Sequence, residues 1–190
     1  MIAYSNTHVW DTTYSLVADT LFYFSELDSG SANGNATLIQ DKQTIKGDRI
    51  EYFEIPESDG VSYAARGNVS ITEEGRLATC GEAIYDRENG KTTLRIKPKI
   101  LDNNQTITGS EIFLEYDEDV LKSLFIPSEA HATHPSTGIR QWTEIVDGDT
   151  LTFEDSLSFT DDMTGSILRG FFTDGIMDSM RLEGMATTLY

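Results

Sequence analysis

The sequence predicts an all-β domain assembled from hairpins that recur about every 30 residues. Three observations predict it. Thr (22), Ile (16), Val (6) and the 19 aromatics together far outnumber the 11 Ala, and β-branched and aromatic side chains fit a pleated surface better than a helix. Turn signals punctuate the chain at Asp28-Ser29-Gly30, Ser58-Asp59-Gly60, Glu74-Gly75, Glu88-Asn89-Gly90, Asp147-Gly148 and Asp174-Gly175,. A short pattern also repeats along the chain. Helical spacing is scarce; Glu118 to Phe125 is the one candidate, and it passes directly into alternating residues,.

The repeat begins with a small or polar residue and places an aliphatic and then a large side chain at alternate positions. It reads Asp19-Thr20-Leu21-Phe22-Tyr23, then Asp48-Arg49-Ile50-Glu51-Tyr52, then Gly81-Glu82-Ala83-Ile84-Tyr85. It returns as Ser110-Glu111-Ile112-Phe113-Leu114 and as Asp149-Thr150-Leu151-Thr152-Phe153, giving intervals of 29, 33, 29 and 39. A second motif falls between the copies: Gly34-Asn35-Ala36-Thr37-Leu38 matches Gly67-Asn68-Val69-Ser70-Ile71, and Gly184-Met185-Ala186-Thr187-Thr188 is a weaker copy. Each unit therefore holds two strands. His131 to Ile145, with Pro135-Ser136-Thr137-Gly138, reads as a long loop insertion (131–145), and Ser156 to Thr164 reads similarly.

Because side chains alternate along a strand, parity assigns the faces. One face collects Leu21, Tyr23, Leu38, Ile50, Tyr52, Ile71, Tyr85, Ile100, Ile112 and Leu114, with Leu94, Ile96, Pro98, Leu151 and Phe153 on the same parity. The other collects Arg49, Glu51, Ser70, Glu82, Arg95 and Lys97. Phe22, Phe24, Ile39, Ile84 and Phe113 fall on the polar parity and mark either a contact surface or a register slip at a bulge,.

Composition excludes several functions. The net charge of −18 argues against nucleic acid, which needs clustered cations,. A single cysteine, Cys80, excludes an internal disulfide and a cysteine-rich zinc site,. Apolar runs such as Leu21-Phe22-Tyr23-Phe24 are far shorter than the roughly 20 residues of a membrane helix,. Met1 to His8 lacks a basic segment followed by an apolar one, and the strand-like ending through Tyr190 reads as part of a longer chain,. His131-x-x-His134 has a chelating spacing but sits in a loop-like context without further ligands,. No phosphate loop, Gly-x-Ser-x-Gly elbow or convergent carboxylate pair occurs,. No catalytic residue, metal or cofactor is expected.

The run from Gly34 to Tyr52, with its Gly-Asn-Ala strand, polar turn and Gly47-Asp48-Arg49-Ile50-Glu51-Tyr52 strand, resembles the OstA-like family. These are the periplasmic lipopolysaccharide-transport proteins of the LptA type and the N-terminal domain of LptD. Ala65 to Ile71 and Ala78 to Tyr85 fit the same scheme; the likeness is close over residues 14 to 116 and looser beyond. It implies a single OstA-like domain over residues 1–190: an open, V-shaped antiparallel β-jelly roll with an apolar groove. It also implies a non-enzymatic carrier that holds the lipid A acyl chains of lipopolysaccharide in the groove and bridges the periplasm toward the outer membrane. Its partners would be other OstA-like components, or further copies of itself, joined end to end by strand pairing. A soluble bridge subunit and the N-terminal part of a larger outer-membrane protein both suit this.

On that implication the ten inner-face residues from Leu21 to Leu114 named above would meet lipid, and Lys91, Arg95, Lys97 and Lys99 face either a headgroup or solvent. The alternatives are a structural β-solenoid or surface adhesin with a filled core, for which intervals of 29 to 39 are too uneven, and a β-sandwich enzyme, which lacks a convergent side-chain set.

Overall fold

A computed structural model describes residues 2–10, 12–54 and 61–189. The expected turn at Ser58-Asp59-Gly60 lies outside the described residues. Sixteen antiparallel strands follow in chain order: β1 (Ile2–Trp10), β2 (Tyr14–Phe24), β3 (Ser29–Gln40), β4 (Gln43–Glu54), β5 (Val61–Glu73), β6 (Arg76–Asp86), β7 (Lys91–Arg95) and β8 (Lys99–Asp102). They continue as β9 (Gln105–Thr108), β10 (Ile112–Asp117), β11 (Val120–Ile126), β12 (Ala130–Val146), β13 (Asp149–Gly165), β14 (Ile167–Thr173), β15 (Ile176–Glu183) and β16 (Thr187–Leu189). The result is an open antiparallel β-jelly roll.

All sixteen strands belong to one hydrogen-bonded sheet that splits at β6. Residues Glu82 to Asp86 pair with β7, whereas Leu77 to Thr79 pair with β8. One branch then runs β7-β10-β11-β14-β15, and the other runs β8-β9-β12-β13-β16. Upstream of the split, each long strand contributes to both halves and changes register midway: between Val17 and Thr20, Asn33 and Ala36, Lys46 and Arg49, and Arg66 and Val69. These breaks line up as a corner that folds the sheet on itself, so the two halves face each other across one apolar cluster.

The corner is written in the Gly-Asn motif. Gly34 and Asn35 have φ of +77° and +47°, and Gly67 and Asn68 have +72° and +47°. Glycine and asparagine tolerate this left-handed backbone better than other residues. A Cβ on Gly34 would collide with Asp19, and one on Gly67 with Asp48. Those aspartates are the clamps: Asn35 Nδ2 donates to Asp19 at 3.0 Å, and Asn68 Nδ2 donates to Asp48 at 3.0 Å. The weak third copy adopts the same conformation, with Gly184 at +70° and Met185 at +48°.

Two expectations are corrected, and the one helical candidate is resolved as a turn and a strand. Residues 131–145 are not a loop: they lie in β12, paired along its whole length with β13, which also takes in 156–164. Thr-rich alternation carries both strands, and Pro135 is tolerated because β9 pairs only with residues 131–133, leaving an edge there,. Glu118 to Phe125 is a tight turn, with φ of +47° at Glu118 and +62° at Asp119, followed by β11 rather than a helix. Ile96 is not an inner-face residue; it sits at the corner with φ +63° and is largely exposed.

Replacing Gly67 by valine is expected to lower the unfolding free energy by about 2 kcal/mol or more, from strained backbone and displacement of Asp48. Urea denaturation followed by circular dichroism checks it; an unchanged midpoint would show that the corner does not need the glycine.

Candidate functional site: an apolar interior between two half-sheets

The inner faces of the two halves meet in a single cluster that includes Leu16, Leu38, Ile45, Ile50, Ala83 and Ile112, each essentially inaccessible. All ten residues expected on the inner face belong to this interior or pack on it. Leu21, Leu38, Ile50, Tyr52, Ile71, Tyr85, Ile100, Ile112 and Leu114 are buried, and Tyr23 is partly buried against them. Leu16, Ile45 and Ala78 complete it from the other side of the corner.

Between its ends the interior is closed: the inner-face side chains fill it by packing against one another. At the β1 end a cavity of about 490 Å³ opens among Val9, Tyr14, Leu21, Tyr23, Tyr52 and Glu54. At the opposite end a smaller one, about 290 Å³, lies between Asp102, Gln105 and His134 on one half and Met177 and Met180 on the other. The strand order places these cavities at the two ends of the apolar interior. Ten inter-strand steps of about 4.8 Å give it a length of roughly 48 Å.

Away from the corner, polar contacts tie the rims of the two halves together. The Gln40 side chain donates to the Val61 carbonyl at 3.2 Å and accepts the Val61 N–H at 2.6 Å. Tyr14 donates to Glu54 at 2.9 Å. Arg87 bridges Asp41 at 2.5 Å and Asp119 at 3.3 Å. Arg76, almost buried, meets Glu73 at 3.4 Å and Asp102 at 3.3 Å, donates to the Gly175 carbonyl at 2.6 Å, and lies 5.0 Å from the centre of the Phe172 ring. Burial pushes the Glu73 carboxyl above its usual range despite Arg76.

Five tyrosines line the same rim and interior. Tyr14 and Tyr52 have ring centres 6.2 Å apart, Tyr63 and Tyr85 5.4 Å, and Tyr85 and Tyr116 6.4 Å. Burial raises the phenol pKa values of Tyr52 (to about 12), Tyr63, Tyr85 and Tyr116. The hydroxyl of Tyr63 is buried with no hydrogen-bond partner. Burial likewise pushes the Cys80 thiol up to about 11, as for a packing residue rather than a nucleophile,.

The basic cluster faces away from the interior. Lys91 pairs with Glu115 at 3.3 Å and Arg95 with Glu111 at 2.7 Å on the outer surface. His131 and His134, three apart on a strand, point to opposite faces: His131 meets Asp162 at 3.0 Å and His134 meets Gln105 at 3.0 Å,. They do not form a joint ligand pair.

The jelly roll thus encloses one apolar interior with a partly polar cavity at each end. Comparison with known proteins specifies the class. Residues 16–120 match the model of the LptA/(LptD N-terminal domain) LPS transport protein family, and the chain belongs to that family. The fold is similar to the crystal structure of LptH, "the LptA homologous periplasmic component of the conserved lipopolysaccharide transport device from Pseudomonas aeruginosa". That similarity has a TM-score of 0.51 at 12% identity, over 57% of this chain and 79% of LptH. No protein of curated function matches the chain. No helix among the described residues is long and apolar enough to cross a membrane.

Two predictions follow from the rim. Arg76→Ala strands Glu73 and Asp102 and is expected to cost about 3 kcal/mol, read from urea midpoints; a loss under 1 kcal/mol would show that Arg76 does not hold the rim. The raised tyrosine pKa values mean that the folded state keeps phenol protons the unfolded chain gives up near pH 10. Stability is therefore full below about pH 10 and is lost as the pH rises toward and beyond 12. The part of the tyrosinate absorbance at 295 nm that belongs to Tyr52, Tyr63 and Tyr116, read as the loss of amplitude in their Tyr→Phe variants, should appear together with unfolding, not ahead of it.

Proposed function

We propose that the chain is a non-enzymatic carrier that takes the acyl chains of lipopolysaccharide between its two half-sheets and passes them along the channel. The observation that carries this reading is the single apolar interior running the length of the strand stack and opening at both ends. Family membership supplies the substrate class.

Each methylene moved from water into such an interior gains about 0.8 kcal/mol. A few chains would therefore be held by area alone, without a catalytic group. With the interior filled, hydrocarbon enters by displacing contacts between the halves. The corner serves as the hinge line, and the rim contacts at Gln40–Val61, Tyr14–Glu54 and Arg76–Gly175 part. The unpartnered Tyr63 hydroxyl supports this, because a buried orphan donor costs about 1–3 kcal/mol and makes the closed state easier to leave,. Leu21, Tyr23, Leu38, Ile50, Tyr52, Ile71, Tyr85, Ile100, Ile112 and Leu114 are then the lipid-facing set, with Tyr23 at an entrance. The site of action on this reading is the periplasm, and exposed terminal strands pair with other family members or with further copies end to end.

A photo-crosslinking amino acid at Tyr23 is expected to give lipopolysaccharide adducts, whereas the same residue at Phe22, its neighbour on the opposite face, gives few. Equal labelling at both positions would remove the channel as the lipid site.

A further inference from the structure

The hairpin of β12 and β13 outgrows the body. From Pro135–Thr160 to Val146–Asp149 the two strands pair only with each other, since β9 stops at Thr133 and β16 at Asp162. Twelve residues past His134, at about 3.3 Å each, make a ribbon roughly 40 Å long. Its two faces differ. One carries Phe159, Leu157, Trp142, Phe153, Leu151 and Val146, with Arg140, Glu144, Asp149 and Asp155 among them; the other is mainly Thr, Ser and Gln, with Ile139 and Ile145 standing singly. The apolar face shares the parity of Ala130, Ala132 and Met163, so it is the inner wall of one half-sheet carried past its opposing half. Its six large side chains are 37–46% exposed. A two-stranded ribbon with an uncovered apolar face is marginal in water.

We infer that this face packs against the same face of a second copy, the two ribbons lying antiparallel about a two-fold axis at Trp142. The charge pattern selects this occupant. On the apolar face of β12, Arg140 and Glu144 flank Trp142 two residues to either side. The indole donates to Glu144 at 3.0 Å, and the Arg140 guanidinium lies 5.8 Å from the ring centre. Arg140 makes no ion pair within 4 Å among the described residues, although Asp155 stands opposite it on β13. A two-fold that lays β12 over β12 of the other copy reverses the strand, so each Arg140 meets the other copy's Glu144, as an isologous interface requires.

The same geometry handles the net charge. Antiparallel ribbons keep the bodies about 50 Å apart, well beyond the roughly 8 Å screening length at physiological salt. A parallel arrangement would bring two −18 bodies side by side. An anionic bilayer is a poorer occupant: Arg140 is the one Lys or Arg between residues 135 and 160, against five acids, with Asp147 and Asp149 at the tip,. Five overlapping rows bury on the order of 800–1,000 Å² in total, below the roughly 1,200 Å² of stable specific interfaces, so the dimer is a weak, concentration-dependent one. This inference does not depend on the lipid reading.

Sedimentation velocity from about 1 to 200 μM tests it, and dimer is expected to accumulate over tens of micromolar. Trp142→Ser is expected to weaken association at least tenfold, while Ile139→Ser on the opposite ribbon face leaves it unchanged; circular dichroism checks that both variants fold. Arg140→Glu and Glu144→Arg should each weaken it, and the double exchange should restore it. A monomer at every concentration overturns the inference, as does a dimer indifferent to Trp142→Ser. A double exchange no better than the single ones overturns the antiparallel register. Trp142-dependent binding to phosphatidylcholine vesicles by a protein that stays monomeric overturns it in favour of a lipid surface.

Discussion

The structure depends on one backbone constraint: the strands that cross between the halves must change direction along a common line. β-Sheets twist but do not fold sharply without residues that leave the extended region. Here consecutive left-handed residues do so at Gly34-Asn35, Gly67-Asn68, Ile96-Lys97 and Gly184-Met185. The missing Cβ at Gly34 and Gly67 leaves room for Asp19 and Asp48, whose carboxylates hold the asparagines in place. Ile96 shows how strongly the line is imposed. A β-branched residue at φ +63° carries a cost of about 1–3 kcal/mol,. It is held there by the Gly81 N–H, which donates to the Ile96 carbonyl at 2.9 Å, and its side chain occupies the space a Cβ on Gly81 would need.

A sheet folded along a line has a closed side and an open side, and the chemistry of the two differs accordingly. At the corner the walls are continuous chain and cannot separate. At the rim they meet through side chains: an amide on a backbone, a phenol on a carboxylate, a guanidinium among two carboxylates and a carbonyl. Such contacts contribute on the order of 1 kcal/mol each and exchange readily with water. The fold thus places its durable connection on one side of the apolar interior and its breakable ones on the other. That asymmetry is what a carrier needs, and a uniformly bonded sandwich lacks it.

Much of this was legible in the sequence, and the failures have a physical pattern. The Gly-Asn copies, the hairpin period and the inner parity of Leu21, Ile50, Tyr85 and Leu114 all follow from alternation. Leu16, Ile45 and Ala78 were missed because they lie across the corner on strands β2, β4 and β6, where the bulge shifts the register by one and reverses the parity,. In β3 and β5 the Gly-Asn pair preserves parity instead, so Ala32 and Leu38, or Ala65 and Ile71, are inner on both sides. Phe22, Phe24, Ile39, Ile84 and Phe113 lie on the outer face, as their parity indicated. The ribbon was misread because Pro135 and the Ser-Thr-Gly run carry turn chemistry. Pairing of residues 135–138 with residues 157–160, 19 to 25 positions on, overrode that local signal. Nothing local predicts the rim, since Gln40 and Val61, or Arg76 and Gly175, become neighbours only once the sheet has folded.

The net charge of −18 looks ill-suited to a protein that would carry an anionic lipid, yet its distribution removes the conflict. On the outer face of one half the charges alternate in sign across the strands. Arg49 reaches Glu51, Arg66 joins Glu51 to Glu82, and Arg95 joins Glu82 to Glu111. Such a ladder is locally near neutral, and its members are solvated, so it contributes little to stability. Near the interior the main charge cluster is Arg76 with Glu73 and Asp102, and it sits at the rim. An anionic headgroup held outside the rim would therefore meet partly paired charges, while its hydrocarbon would lie against the apolar side chains of the interior. Global charge governs how fast two bodies approach; the neutral interior decides whether a chain of methylenes stays once it has entered.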